Sequence, residues 1–196
     1  MIGKEEIKGI LLGIGCDNYN RRQLFCNLCH DQEMTDEAYN YGLNLAYTCG
    51  NAGREAFFYF SDYRVSKDLI MEEKDKQLYD KLPQQLIIYR GCDLIESKEG
   101  NEFGISWTTE RKVAEFFAFR YNNHNGRVFG LEIDKRDIIA YFTDRTEYEA
   151  IINIFDLEYS DWTKSPYIVT DKPTDLYITY VTENNPYLND NTLVSR

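Results

Sequence analysis

A chain of 196 residues, 43% hydrophobic and 28% charged, has the length and composition of one globular domain with room for a real core. Its formal net charge of −11 argues against binding nucleic-acid backbones over the whole surface and leaves only a local basic groove for that purpose. Two histidines are too few for a His-rich metal site, and 16 tyrosines and 11 phenylalanines against 4 prolines favour a strand-rich or mixed fold over a disordered chain.

Residues 1–85 read as helical. The first apolar run, Ile10 to Gly15, is far too short to span a bilayer, and it follows the acidic start Lys4-Glu5-Glu6, unlike a secretory signal. The five cysteines, Cys16, Cys26, Cys29, Cys49 and Cys92, are therefore expected as reduced thiols in a cytoplasm, with no membrane partner. Asp17 to Asn20 interrupts the first helix and Arg21 to Cys29 resumes one. Thr35 caps a further helix with early acids Asp36 and Glu37, and Ala38, Tyr41, Leu45 and Ala46 keep its period of three to four. Gly50 to Gly53 is a loop, and the aromatic stretch Arg54 to Tyr63 fits either a buried helix or a strand. Asp68 to Leu82 reads as a surface helix that leads through Pro83 into the first strand. Cys26-Asn27-Leu28-Cys29-His30 has the spacing of a haem attachment sequence. Such attachment normally takes place outside the cytoplasm, and a zinc site would need a second ligand pair, so small buried thiols on a helix are the expectation.

From residue 86 the pattern changes to strands. Leu86-Ile87-Ile88-Tyr89-Arg90-Gly91 is the first, and Gly104-Ile105-Ser106-Trp107-Thr108-Thr109 holds the second. Thr108 or Thr109 then caps a helix reaching about Tyr121, with Val113, Phe116, Phe117 and Arg120 at helical spacing and Phe116 and Phe117 expected in the core. Asn122 to Gly126 is a turn. Arg127 to Ile133 alternates, with Phe129, Leu131 and Ile133 on one face; Asp134 to Asp137 is a charged turn, and Ile138 to Phe142 is another strand. Asp144-Arg145-Thr146-Glu147-Tyr148-Glu149-Ala150-Ile151-Ile152 reads as a strand on which Glu147, Glu149 and Ile151 share one face and Tyr148, Ala150 and Ile152 the other. Two carboxylates so spaced stand roughly 6.5–7 Å apart along a strand, which suits two groups addressing neighbouring atoms of one substrate. Tyr177 to Val181 reads as a late strand, and Glu183 to Arg196 as a polar, fraying tail. No internal repeat, Gly-x-Gly-x-x-Gly or phosphate-binding loop occurs.

Carboxylates stabilise the oxocarbenium-like state through which a bond at an anomeric carbon breaks, and they serve as bases for the incoming nucleophile. A Glu-x-Glu pair alone also fits a solvated strand face. The ordered set is more specific. A strand ending in Tyr89-Arg90-Gly91, a second with Ser106-Trp107-Thr108 and a third with Glu147-Tyr148-Glu149 resembles the Arg–Ser–Glu class of ADP-ribosyltransferases. The matching segments cover directly about a third of the chain.

The resemblance implies a single α+β domain: a helical part (1–85), a catalytic β core (86–182) and a flexible tail (183–196). The helical layer would lie against two small, mostly antiparallel sheets that flank a cleft for NAD, the substrate, with no metal required. Arg90, beside Tyr89, would bind the NAD phosphates and ribose edge, and Gly91 would let the backbone approach the nicotinamide amide. Ser106 would orient Glu149, which would hold the nicotinamide ribose and stabilise the oxocarbenium. Trp107 and Thr108 would line the same cleft, although many members have Thr and Ser there. Glu147 would position or deprotonate the acceptor, and the Tyr141–Thr146 stretch, including Phe142 and Arg145, would meet it. The resemblance implies transfer of ADP-ribose to protein arginine, with RNA or DNA, or water, as the other acceptors. A catalytically inert binding module and a glycosidase using the same two Glu residues are the readings from other classes. By analogy with toxin and phage effectors, an inhibitor protein is an expected partner.

Overall fold

The computed structural model describes residues 1–13, 18–31, 33–47, 56–92, 103–120, 125–143, 146–152 and 166–184. It is an α+β fold of eight helices and one six-stranded antiparallel sheet among the described residues.

Six helices precede the sheet: α1 (Lys4–Leu11), α2 (Asn18–Asp31), α3 (Asp36–Tyr47), α4 (Phe57–Phe60), α5 (Lys67–Ile70) and α6 (Glu73–Asp80). Helix α3 is the axis of this layer. Thr35 caps it as its sequence predicts, its Oγ1 accepting from the Ala38 N–H at 3.2 Å. The buried face differs from the expected one: Tyr39, Leu43, Ala46 and Tyr47 are buried while Tyr41 and Leu45 are only half-buried. The helix is covered from several sides, so a single apolar stripe does not describe it. Gly42 lets α2 and α1 approach, since a Cβ there would lie 2.8 Å from the Phe25 ring and 3.2 Å from Ile7. Buried Asn40 donates to the carbonyls of Asp36 and Arg64 and accepts from the Ser66 N–H, which ties the turn after α4 to α3. The aromatic stretch resolves as the short α4, with Phe60 buried and Phe58 exposed. The expected surface helix 68–82 is two helices, broken at Met71, which turns into the core.

The strands are β1 (Gln85–Cys92), β2 (Ser106–Thr108), β3 (Arg127–Asp134), β4 (Ile138–Phe142), β5 (Glu149–Ile152) and β6 (Tyr167–Thr170), in the order β4-β5-β2-β1-β3-β6. The expectation of two separate sheets is corrected: all six strands join in one. The join between its halves is slight. β1 pairs with β3 over eight residues, Gln85↔Asp134 to Cys92↔Arg127, yet with β2 only at Tyr89↔Thr108.

One face of the sheet carries the main core, in which Ile88, Trp107, Phe129, Leu131 and Ile133 meet the N-terminal helices. On the other face Tyr89 and Val128 pack with Ala114, Ala118 and Phe119 of α7 (Arg111–Phe119). Those residues fill the place expected for Phe116 and Phe117, which are half-buried: α7 turns its alanines toward the sheet because only small side chains let its backbone come so close. The late segment is corrected too. Tyr177 to Val181 belongs to a helix, α8 (Asp175–Asn184). Its β-branched residues suggest a strand, but Tyr177, Tyr180 and Val181 are covered while Ile178 and Thr179 are exposed, a helical period. Thr174 caps it, its Oγ1 accepting from the Leu176 N–H at 3.2 Å. Most of the expected tail, residues 185–196, lies outside the described residues.

Candidate functional site

The site forms where β1 and β2 part. Past the single pair Tyr89↔Thr108 the two strands are held by a side chain instead of the backbone ladder: Arg90 Nη1 donates to the Ser106 carbonyl at 2.6 Å. Ser106 lies on β2, whose other neighbour is β5, with Thr108 opposite Glu149 and Ser106 opposite Ile151. That register brings the Ser106 hydroxyl to the Glu149 carboxylate, to which it donates a short hydrogen bond at Oε1. A guanidinium, a hydroxyl and an acid from three separate motifs thus form one connected chain, and all three side chains are half-buried. A charge-assisted bond of this kind is about twice as strong as a neutral one and fixes both the rotamer and the direction of the acid.

Glu147 is placed differently from its expected position. The strand begins at Glu149, so Glu147 lies in the loop before it and the strand alternation does not reach it. Thr146 and Tyr148 on either side have φ of 58° and 49°, the left-handed region that non-glycine residues rarely adopt. Thr108 holds this turn by donating its Oγ1 to the Glu147 carbonyl at 2.7 Å, and the Thr109 N–H donates to the Tyr148 carbonyl at 3.1 Å.

Several expected lining residues have structural work instead. Trp107 is buried in the main core and donates its Nε1–H to the Gly104 carbonyl at 3.1 Å; strand alternation turns it away from Ser106. Thr108 is buried, with its hydroxyl engaged by Glu147 and by the Glu110 N–H. Tyr89 packs half-buried under α7. The bare side of Gly91 is filled by α7: a Cβ there would clash with the Ala114 carbonyl and lie 2.7 Å from the Ala118 nitrogen. Close helix approach is therefore the reason for this glycine. Phe142 is 3% exposed and pairs with Glu149 across β4 and β5, so it belongs to the core and not to an acceptor surface. Arg145 lies outside the described residues.

Comparison with family models, curated proteins and solved structures finds no match to this chain.

Beside the triad, a groove of about 380 Å³ runs between α6 and the start of β1, lined by Leu78, Leu82, Leu86, Ile87, Tyr141 and Tyr148 among others. It contains none of Arg90, Ser106 and Glu149, and meets the turn before β5 through Tyr148 and Thr109. On its wall Thr109 Oγ1 and the Tyr141 hydroxyl share a hydrogen bond at 2.9 Å; burial raises the Tyr141 phenol above its usual pKa, and the Thr109 bond opposes it.

Tyr180 is a site neighbour that sequence reasoning misses. It is buried against Phe116, its hydroxyl bonds the Thr146 side chain, and burial first and the Glu147 charge second raise its pKa, with the Thr146 bond opposing them. The available signal was the cap Thr174-Asp175, which marks a helix and so a different exposed face. Among the described residues there is no group of three or more His, Cys, Asp and Glu side chains able to hold a metal ion, and no helix is long and apolar enough to cross a membrane. Cys26 and Cys29 are free thiols on α2. Burial pushes the Cys29 thiol up to about 12.

Proposed function

We propose that this protein is an NAD-dependent mono-ADP-ribosyltransferase that cleaves the nicotinamide–ribose bond and transfers ADP-ribose to a protein arginine. The observation that supports this reading is the connected chain Arg90–Ser106–Glu149 at the parting of β1 and β2. Hydrogen bonding from Ser106 engages one oxygen of Glu149 and turns the carboxylate so that the other faces the ribose hydroxyl next to the breaking bond. Nicotinamide leaves with the bonding electron pair, and the Glu149 charge offsets the positive charge that develops at the anomeric carbon. Arg90 supplies a permanent planar cation for the pyrophosphate. An acceptor guanidinium nitrogen then bonds to the anomeric carbon, and its proton passes to Glu147 and on to solvent. A net charge of −11 favours a cationic acceptor over RNA or DNA. A cytoplasmic setting accords with free Cys26, Cys29 and Cys92.

The test is incubation of the purified protein and of Glu149→Gln with NAD labelled on the adenine side, in lysate. Label on protein, removed by an enzyme or reagent specific for arginine linkages and absent with Glu149→Gln, is the expected result. Label on nucleic acid moves the acceptor to another class. NAD left intact by the parent protein sinks the proposal.

A further inference from the structure

The single rung Tyr89↔Thr108 divides the space between β1 and β2. Arg90 and Ser106 lie on one side of it, joined by their hydrogen bond. On the other side β1 runs back to Gln85, and among the described residues no strand flanks it there, because β2 ends at Thr108. The groove opens at this unflanked stretch. It is lined by Leu86 and Ile87 of β1 and by Thr109 and Glu110, the two residues that follow β2.

Register sets where the acids stand relative to it. Glu149 is opposite Thr108, level with the rung, and the Thr109 N–H donates to the Tyr148 carbonyl at 3.1 Å. Chain leading back from Glu149 to Glu147 therefore runs from the rung toward the groove, which Tyr148 lines. The Thr108 hydroxyl binds the Glu147 carbonyl and the Glu110 N–H together, so a second acid adjoins the turn at the groove's edge. Alternate residues of an extended chain point the same way about 6.5–7 Å apart. A side chain in the groove and one at Glu147 can thus belong to one extended segment.

Leu78, Leu82, Leu86 and Ile87 make the groove apolar, and Leu78 and Ile87 are each 36% exposed. Its volume of about 380 Å³ stands at the low end of ligand pockets, which suits one or two large side chains. A strand edge without a neighbour, beside such a hollow, is what an extended peptide adds itself to.

We propose that the groove receives the acceptor: an extended protein segment pairs with the open edge of β1, places a large apolar side chain in the groove and presents an arginine two residues away to Glu147. The proposal rests on the transferase reading above and deepens it, by requiring an apolar residue near the target arginine.

Nicotinamide release from NAD is measured for the full chain with agmatine, with the peptide Gly-Gly-Arg-Gly-Phe-Gly-Gly, and with the same peptide carrying Ser in place of Phe. Binding of both peptides, fluorescently labelled, is followed by anisotropy. The Phe peptide is expected to bind, and to stimulate release, at a concentration about tenfold or more below that of the Ser peptide. Ile87→Gln and Leu78→Gln, at partly exposed positions, are expected to cut that advantage to within about twofold. Their acceptor-free and agmatine-stimulated rates should stay within about twofold of the parent. Equal response to the two peptides, an advantage that survives both substitutions, or a raised KM for NAD in either variant overturns the proposal. So does a parent that sediments as a dimer and becomes a monomer on Ile87→Gln, which gives the groove to a second copy. A parent that releases no nicotinamide sinks the transferase reading, and anisotropy alone then judges the groove. A Phe-peptide preference lost in Ile87→Gln keeps it as a docking site, whereas equal binding of both peptides removes it as well.

Discussion

At the scale of single side chains, Ser106 is the joint of the site: its carbonyl receives Arg90 and its hydroxyl serves Glu149. Removing either end has a distinct signature. Glu149→Gln keeps the shape but withdraws the negative charge, and nicotinamide release is expected to fall about a thousandfold with NAD affinity little changed. Arg90→Lys loses the planar fork and its tether to β2, and is expected to raise the KM for NAD about tenfold to a hundredfold. Steady-state kinetics with both variants check these values; Glu149→Gln turning over like the parent would sink the assignment. The positions of these three residues are legible in the sequence because each motif ends or starts a strand, where register does the placing. Glu147 is not, because the alternation rule assumes a strand that begins earlier than Glu149. The strain at Thr146 and Tyr148 has no compositional mark, since neither position is a glycine.

Between elements, backbone approach decides more than side-chain character. Gly91 and the two alanines of α7 permit a helix-to-sheet contact that a Cβ at position 91 would block. Gly91→Ala is expected to destabilise the fold by about 1–3 kcal/mol, read as a lower urea midpoint. Its effect on activity should follow stability, since the face of Gly91 without a side chain is taken by α7. Asp75 plays a comparable part on the other side. This buried acid on α6 accepts from both the N–H and the hydroxyl of Thr143 at the end of β4, and Asp75→Ala, which leaves those donors without a partner, is expected to cost about 1–3 kcal/mol in the same measurement. Long periodic stretches such as β3 and α3 can be read from sequence, and β3 lies as its alternation predicts. Helix α8 cannot be read so, because the β-branched content of Leu176 to Val181 outweighs a period visible only once Phe116 and Phe119 cover Tyr180 and Tyr177.

Over the whole molecule, the N-terminal layer carries a group of buried and half-buried thiol and phenol groups that ionise late. Burial pushes Cys29 and Tyr59 up to about 12 and Tyr39 and Tyr47 higher still. Each is raised in the folded state, so its contribution is fully present below the unfolded pKa and is lost as pH rises toward the folded one. Unfolded values are about 8.5 for cysteine and 10 for tyrosine, which sets the window from about pH 8.5 to 12. Stability is therefore expected to decline steadily across that window, with tyrosinate absorbance rising together with loss of the near-ultraviolet circular dichroism signal. Tyrosine titration well before loss of fold would contradict it. The α+β character is legible from patterning, whereas the joining of all strands into one sheet is not, because it depends on one pair, Tyr89↔Thr108.

That lone pair also sets how the mouth of the site can change. With one rung between them, the two three-stranded halves can alter their mutual angle without breaking a ladder, and Arg90 rides on one while Ser106 and Glu149 ride on the other. The guanidinium then acts as the drawstring of the aperture, so that cutting it should loosen β2 amides in hydrogen exchange even when no NAD is present.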